Sequence, residues 1–256
     1  MIPEQLLIGW ELGVLGAVAF FSAILSAVIG MGGGMTLLVV LLLFVDPLVA
    51  IPLHGVIQLL SNSSRATIQR EHLSWGIVGR FSLLLLPAGF LGILLAQGLP
   101  REAVRMAIGA FVLIATWAPG LFKLPVPEGG ALPTHRFTIL GGVAGTLNTT
   151  IGATGPLIAP FYLGLGLSRQ AIIGTKAACQ TFGHLAKIVV FGATGFAFLS
   201  YVVPLALLGV AVVLGTWVGS KILDRVDEAW FLRLYRLVLT LLAARLVFWE
   251  GVKLIA

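Results

Sequence analysis

The sequence predicts an all-α polytopic membrane protein built from two inverted repeats. Three observations support this prediction: a strongly apolar composition, long apolar segments along the whole chain, and two glycine clusters at a fixed separation. Of the 256 residues, 59% are hydrophobic and 10% are charged, and the mean hydropathy is +1.07. A soluble domain carries about 25% charged residues to cover its surface. The chain therefore cannot be solvated on all sides.

The net charge of +6 does not indicate a nucleic-acid partner. The sixteen Lys and Arg residues lie singly at the ends of apolar segments, without a basic tract or interleaved aromatic side chains. Because this spacing is typical of membrane topology, the expected partner is the lipid bilayer. The first thirty residues contain Glu4 and Glu11 and no basic start, so they indicate a first membrane helix and not a cleaved signal peptide.

Eight apolar segments are long enough, or nearly so, to cross about 30 Å of hydrocarbon. They are residues 9–30, 47–69, 74–97, 102–121, 134–151, 169–193, 198–221 and 229–249. Two further apolar runs, 34–45 and 155–166, are too short to span unaided, and each follows a glycine cluster. We therefore expect each half to contain a Gly-rich re-entrant or broken helical hairpin plus three spanning helices.

The glycine clusters at residues 29–34 and 151–156 are separated by 122 residues. The same offset carries Gln58 onto Gln180. This indicates an internal duplication, which is the usual construction of secondary transporters.

The duplication predicts three parts of the chain. Residues 1–121 form the first membrane repeat, residues 122–135 form a linker, and residues 136–256 form the second membrane repeat.

Basic residues in the loops predict the orientation in the membrane. If each glycine cluster turns a re-entrant hairpin, seven basic residues share one side and three lie on the other. The seven are Arg65, Arg70, Lys123, Arg136, Arg169, Lys221 and Arg225, and the three are Arg101, Arg105 and Lys253. The larger group marks the cytoplasmic side and places both termini outside. The alternative, with four plain crossings per half and parallel repeats, divides the charges five against four and is less favoured.

Two equivalent helices each carry a polar stripe at positions i, i+4, i+7, i+8 and i+11, which lie on one helical face. The stripes consist of His54, Gln58, Ser61, Asn62 and Arg65 in the first half and of Lys176, Gln180, Gly183, His184 and Lys187 in the second. Because a polar face toward lipid is unfavourable, both stripes are expected to face the protein interior. Each glutamine lies roughly 16 Å from the start of its helix, near the bilayer midplane.

Less specific interpretations of the stripes remain open. Lys176 and Lys187 are close enough to helix ends for their ammonium groups to reach the lipid headgroups. A buried glutamine commonly does no more than bond a neighbouring helix.

The glycine clusters predict irregular backbone at membrane depth, which is tolerated only where it is buried in protein or lines a cavity. The short helices that follow then direct their N-terminal N–H groups inward, where an anion binds. We expect an anion between Gln58 and Gln180, contacted by the backbone near Gly33 and Gly155, with Thr154 nearby.

Lys176 is the expected nearest cation, with His54 as its counterpart. The proposed core stripes contain no Asp or Glu, and the chain shows neither metal-ligand spacing nor a catalytic arrangement. We therefore expect no cofactor, no metal and no enzymatic activity.

The glycine-rich turns, the 122-residue repeat, the length and the near absence of soluble loops resemble the sulfite exporter TauE/SafE family over essentially the whole chain. The resemblance implies a transporter that exports a small sulfur-containing oxyanion, such as sulfite or an organosulfonate, across the cytoplasmic membrane. The residues themselves favour an anion but do not select sulfur over carbon or phosphorus anions.

The alternative function is a membrane-embedded scaffold or assembly protein in which the stripes serve helix packing. A water-accessible cavity at Gln58 and Gln180 favours transport, whereas a dry core there favours the scaffold. The sequence leaves open the exact substrate, the transport direction, the coupling ion and the oligomeric state, and it allows an oligomer.

Overall fold

A computed structural model describes residues 9–29, 32–122, 135–163, 165, 167–222 and 228–255. Within these residues the chain is helical and contains no strand. The helices are α1 (Trp10–Ile29), α2 (Gly33–Phe44), α3 (Pro47–Ile68), α4 (Trp75–Ser82), α5 (Leu85–Gln97), α6 (Arg101–Trp117), α7 (Arg136–Thr150), α8 (Gly155–Leu163), α9 (Arg169–Ala193), α10 (Val202–Ile222) and α11 (Glu228–Ile255). Gly30 and almost all of the predicted linker 122–135 lie outside the described residues.

Two described helices are long and apolar enough to cross a membrane, over Trp10–Val28 and Phe198–Ile222. The pair α4 and α5 makes a third if it counts as one broken span. The other helices predicted to span are α3, α6, α7, α9 and α11, which are shorter or carry more polar or charged residues. The architecture is that of an all-helical multi-pass membrane protein.

The apolar segment predicted at 74–97 differs from a single straight helix. It bends by 43° between α4 and α5. The break falls at Leu83 and Leu84, and Pro87 follows in the first turn of α5. A proline lacks the N–H group and its ring clashes with the carbonyl of the residue four positions earlier, which here is Leu83. Pro87 therefore accounts for the position of the break.

The helices of the two halves follow the same order, and the main helix pairs join a helix of one half to a helix of the other. Helix α1 packs against α10, and its equivalent α7 packs against α4 and α5. Helix α3 packs against its own equivalent α9, and α6 packs against its own equivalent α11. The pair α3 and α9 therefore lies where the two halves meet.

Each of these two equivalent pairs runs antiparallel. Ser74, just after α3, donates its backbone N–H to Thr175 Oγ1 near the start of α9 (3.0 Å). At the other end of the pair, Gly55 lies against the side chain of Lys187. In the pair α6 and α11, Arg105 near the start of α6 contacts Glu250 near the end of α11 (3.3 Å), and Trp117 at the end of α6 donates its indole N–H to Thr240 Oγ1 (2.8 Å). The two helices of each pair thus point in opposite directions.

Helices α1 and α2 form a hairpin that returns to the face from which it started. The rings of Trp10 and Phe44 pack edge to face with centroids 5.7 Å apart. Gly33, at the turn, packs against Ser22. Asp46 then caps α3 and pairs with Arg101 at the start of α6 (2.7 Å). We call the side that contains these helix ends the upper face.

We call the opposite side the lower face. It contains the segment between α3 and α4 and the start of α9, which the bond from Ser74 to Thr175 joins. Exposed tryptophans mark both faces and are typical of membrane interfaces. They are Trp10, Trp75, Trp117, Trp217 and Trp249, which are 55% to 70% exposed.

Glycines allow α7 to approach both α5 and α4 closely. A Cβ atom at Gly92 would overlap the backbone carbonyl of Thr146, and one at Gly141 would overlap that of Phe81. The equivalent contact between α10 and α1 places Gly215 against the carbonyl of Phe20. Small residues at helix contacts are the usual means of close packing in membranes.

We expect Gly92→Ala to lower the free energy of unfolding by about 1–3 kcal/mol, because the added methyl group meets rigid backbone. Gly79 lies in α4 with no atom within 4 Å of an added Cβ. Gly79→Ala is therefore the matched control and should raise stability by up to about 1 kcal/mol. Thermal unfolding of the purified protein in detergent measures both, and equal midpoints for the two variants would contradict the packing.

Candidate functional site

A polar cavity of about 30 Å³ lies between α3 and α9, beside the two glycine breaks. A water molecule requires about 10–15 Å³ of cavity volume, so this cavity has room for a small group but not for a large organic molecule. Its lining comes from both stripes and both breaks, and it contains no carboxylate side chain among the described residues.

Six of the seven predicted site residues line this cavity: His54, Gln58, Thr154, Gly155, Lys176 and Gln180. The seventh, Gly33, does not line it, although Gly32 and Gly34 do. Gly33 instead faces α1, where an added Cβ would overlap the Ser22 carbonyl. Successive residues of a helix point in different directions, so Gly33 faces away from the cavity that Gly32 and Gly34 line.

The predicted helix breaks are present at the described residues of both clusters. Helix α1 ends at Ile29 and α2 begins at Gly33, while α7 ends at Thr150 and α8 begins at Gly155. Gly32 has φ of 99° and Gly152 has φ of 86°. These values lie in the left-handed region, which glycine adopts at no steric cost.

Each glutamine lies beside the first turn of the short helix in its own half. A Cβ atom at Gly34 would be 3.2 Å from Gln58 Oε1, and one at Gly155 would be 3.4 Å from Gln180 Nε2. The first N–H groups of a helix have no partner within that helix, and its dipole is positive at this end. Amide side chains and backbone N–H groups therefore converge on the cavity from both halves.

Two cations lie at the lower end of the cavity. Arg65 is 7% exposed, and its guanidinium donates to Asn62 Oδ1 (2.7 Å) and to the Ser26 carbonyl (3.2 Å). Lys176 is 6% exposed and lines the same cavity. Burial of Lys176 and Lys187 excludes the alternative in which their ammonium groups reach the headgroups.

Arg65 was not among the predicted site residues, although a sequence signal for it exists. Arg65 is the last position of the first stripe, and Lys176 is the first position of the second. When equivalent helices run antiparallel, the last position of one stripe lies opposite the first position of the other. Only the relative direction of α3 and α9 brings Arg65 and Lys176 together.

Lys187, the equivalent of Arg65, has a different role. Its side chain is fully buried, and Nζ donates to the carbonyl of Gly152 (2.8 Å). Gly152 lies just after α7, where the last carbonyls of the helix lack helical partners. The bond of Arg65 to Ser26 serves the end of α1 in the same way. Each half thus uses the last cation of its stripe to stabilise the helix end at the glycine break.

The upper end of the cavity contains two histidines. The rings of His54 and His184 pack edge to face with centroids 5.7 Å apart. His54 donates through Nε2 to the carbonyl of Gly34 (2.9 Å), which fixes the ring against the start of α2. The Nδ1 atoms of both rings are buried and have no hydrogen-bond partner among the described residues. These two ring nitrogens therefore remain able to form a hydrogen bond at this end of the cavity.

We expect Gly152→Ala to destabilise the protein more than Gly195→Ala. Both glycines have positive φ, so either substitution costs about 1–2 kcal/mol in backbone conformation. An added Cβ at Gly152 also comes within 2.9 Å of Leu38, whereas at Gly195 it meets no atom within 4 Å. Overpacking should add about 1–3 kcal/mol at Gly152 alone. Unfolding in detergent measures the difference, and equal losses would show that this break is loosely packed.

Comparison with protein families gives a match to the family model described as Sulfite exporter TauE/SafE, over residues 15–246. The matched region includes both glycine breaks and both stripes. No curated protein and no solved structure matches the chain.

Proposed function

The chain belongs to the sulfite exporter TauE/SafE family, and on that premise we propose that it is a secondary transporter that exports a small sulfur-containing oxyanion. Sulfite or an organosulfonate is the proposed substrate, and alternating access around a site near the bilayer midplane is the proposed mechanism. The family is one of membrane transporters and not of enzymes.

The observation that carries this proposal is the composition of the cavity between α3 and α9. An oxyanion that leaves water must receive several hydrogen-bond donors and positive charge together. The cavity supplies Gln58, Gln180, Arg65 and Lys176 next to two helix N-termini, and no carboxylate lines it in the described part of the chain. This combination suits an anion and would repel or fail to coordinate a cation.

The substrate lies between Gln58 and Gln180 in this proposal. Backbone N–H groups beside Gly34 and Gly155 and the hydroxyl of Thr154 complete the donors. The geometry that supports this placement is the close approach of each glutamine to the first turn of a short helix.

The repeats are inverted, with residues 1–121 and 136–256 related by an axis in the membrane plane. The antiparallel direction of the equivalent pairs α3 with α9 and α6 with α11 supports this arrangement. A two-fold axis along the membrane normal keeps equivalent helices parallel. Inverted repeats that meet at a midplane site are common in secondary transporters.

The alternative function as a scaffold receives less support. A scaffold requires only packing between α3 and α9, whereas here polar side chains from both helices border open space. Among these side chains, the Nδ1 atoms of His54 and His184 are buried without a hydrogen-bond partner in the described part of the chain. Leaving such a group unsatisfied costs about 1–3 kcal/mol.

We expect Gln58→Ala and Gln180→Ala each to weaken anion binding about 10- to 150-fold. Removal of one neutral donor to a buried anion costs roughly 1.5–3 kcal/mol. Binding of sulfite and of small sulfonates to purified, monodisperse protein measures the effect. Lys176→Ala should weaken binding in the same assay, because it removes a buried positive charge.

Gln97→Ala is the matched control, since Gln97 is an exposed glutamine at the end of α5. It should bind like the wild type. Counterflow of labelled sulfite, sulfonates and carboxylates in proteoliposomes then identifies the substrate class. If both Gln58→Ala and Gln180→Ala bind the transported anion like the wild type, the site lies elsewhere.

We expect both termini to lie outside the cell, and cysteine labelling of the two faces tests this orientation. The native Cys179 is buried, so single cysteines can be introduced at exposed positions without background. Gln97→Cys at the upper face should react with an impermeant maleimide in intact cells. Glu71→Cys and Gln170→Cys at the lower face should react only after permeabilisation, because the larger group of basic residues marks the cytoplasm. Reaction of Glu71→Cys and Gln170→Cys from opposite sides would instead indicate parallel repeats.

A further inference from the structure

A second cavity of about 130 Å³ lies at the upper face between α2, α6 and α11. Its polar lining consists of Arg105, Arg245, Glu250 and Lys253, and its apolar lining consists of Trp249 and leucines of α2 and α11. It shares no residue with the cavity between α3 and α9. The anion site proposed above therefore does not account for it.

The second cavity carries an excess of positive charge. Three cations and one carboxylate line it, which gives a net charge of +2. Glu250 has a side chain that is only 5% exposed, and it pairs with Arg105 (3.3 Å) and Lys253 (3.4 Å). Ideal charge-assisted bonds are about 2.7–2.9 Å long, so both pairs are loose. The buried Nε of Arg105 has no hydrogen-bond partner among the described residues.

The surroundings of the cavity are apolar and exposed. Phe248, Trp249 and Val252 are 74%, 62% and 66% exposed on α11. In a membrane protein such side chains face lipid, and a tryptophan near a helix end lies at headgroup level. Trp10 is 70% exposed at the same face. The cations of the cavity thus lie where acyl chains meet the headgroup region.

We propose that this cavity binds the phosphate group of an anionic phospholipid from the leaflet at the upper face. Arg245 and Lys253 contact the phosphate from the solvent side, and Arg105 contacts it from the protein side. Glu250 keeps Arg105 and Lys253 in place without neutralising all three cations. The acyl chains lie along the exposed apolar side of α11, beside Trp249.

A lipid at this position stabilises a contact between the two halves. Arg105 belongs to α6, whereas Arg245, Glu250 and Lys253 belong to its equivalent α11. Arg105 also donates to the carbonyl of Val45 at the end of α2 (3.2 Å). A phosphate that contacts these cations therefore joins α6 and α11 to the hairpin of α1 and α2.

The test is binding of short-chain phosphatidylglycerol and phosphatidylcholine to the purified full chain in uncharged detergent. The charged variant carries Arg245→Gln and Lys253→Gln together. Each basic residue near a membrane surface contributes about fivefold in affinity for an anionic lipid, so the double variant should bind phosphatidylglycerol about 25-fold more weakly. Phosphatidylcholine should bind more weakly than phosphatidylglycerol to the wild type.

The matched control carries Arg80→Gln and Lys221→Gln, which remove two exposed cations away from this cavity. It should bind phosphatidylglycerol like the wild type. If the double variant fails to fold, Arg245→Gln alone should lower the affinity about fivefold, since Arg245 takes part in none of the ion pairs found between described residues.

Three outcomes overturn the proposal. They are equal binding of phosphatidylglycerol to wild type and Arg245→Gln variants, equal binding of the two lipids, and binding of sn-glycerol 3-phosphate as tight as that of phosphatidylglycerol. The last outcome would indicate a site for soluble phosphate and not for lipid. All readouts are lipid binding, so they do not depend on the transport function.

Discussion

The antiparallel contact between α3 and α9 determines where the polar side chains of the two stripes lie around the central cavity. Each helix carries the same stripe, and antiparallel packing places the start of one stripe opposite the end of the other. Arg65 therefore lies near Lys176 at the lower end, and Lys187 lies against Gly55, next to His54, at the upper end. The two glutamines lie between these ends because they occupy an inner position of each stripe.

The glycine breaks create a demand for hydrogen bonds, because the backbone groups at the interrupted helix ends lack helical partners. The two sides of each break meet this demand differently. Carbonyl groups at the ends of α1 and α7 receive donors from Arg65 and Lys187. The N–H groups at the starts of α2 and α8 lie beside the cavity instead. On one side of each break a cation of the protein thus bonds a backbone carbonyl, and on the other side the first turn of a short helix borders the cavity, which supports the proposal of an anionic ligand.

Residue type and spacing were sufficient to predict the helices, the glycine breaks and six residues of the cavity lining. Pro87 was a sequence signal for the bend within residues 74–97, although an unbroken segment was predicted there. Two other features depend on packing, and the first is the direction of Gly33, which depends on how α2 packs against α1. Arg65 joins the cavity only through the relative direction of α3 and α9. The inverted relation of the repeats, the depth of the breaks and the bound anion remain predictions.

Matching positions of the two predicted repeats have different roles, and this asymmetry bears on the proposed transport. At the lower end of the cavity, Arg65 and Lys176 both line the open space. At the upper end, Lys187 is bonded to Gly152, and the ionisable side chains that line the open space there, among the described residues, are those of the two histidines. An anion is therefore attracted most strongly to the lower end. With the orientation proposed from the basic residues, that end faces the cytoplasm, which is the side from which the proposed exporter would load its substrate.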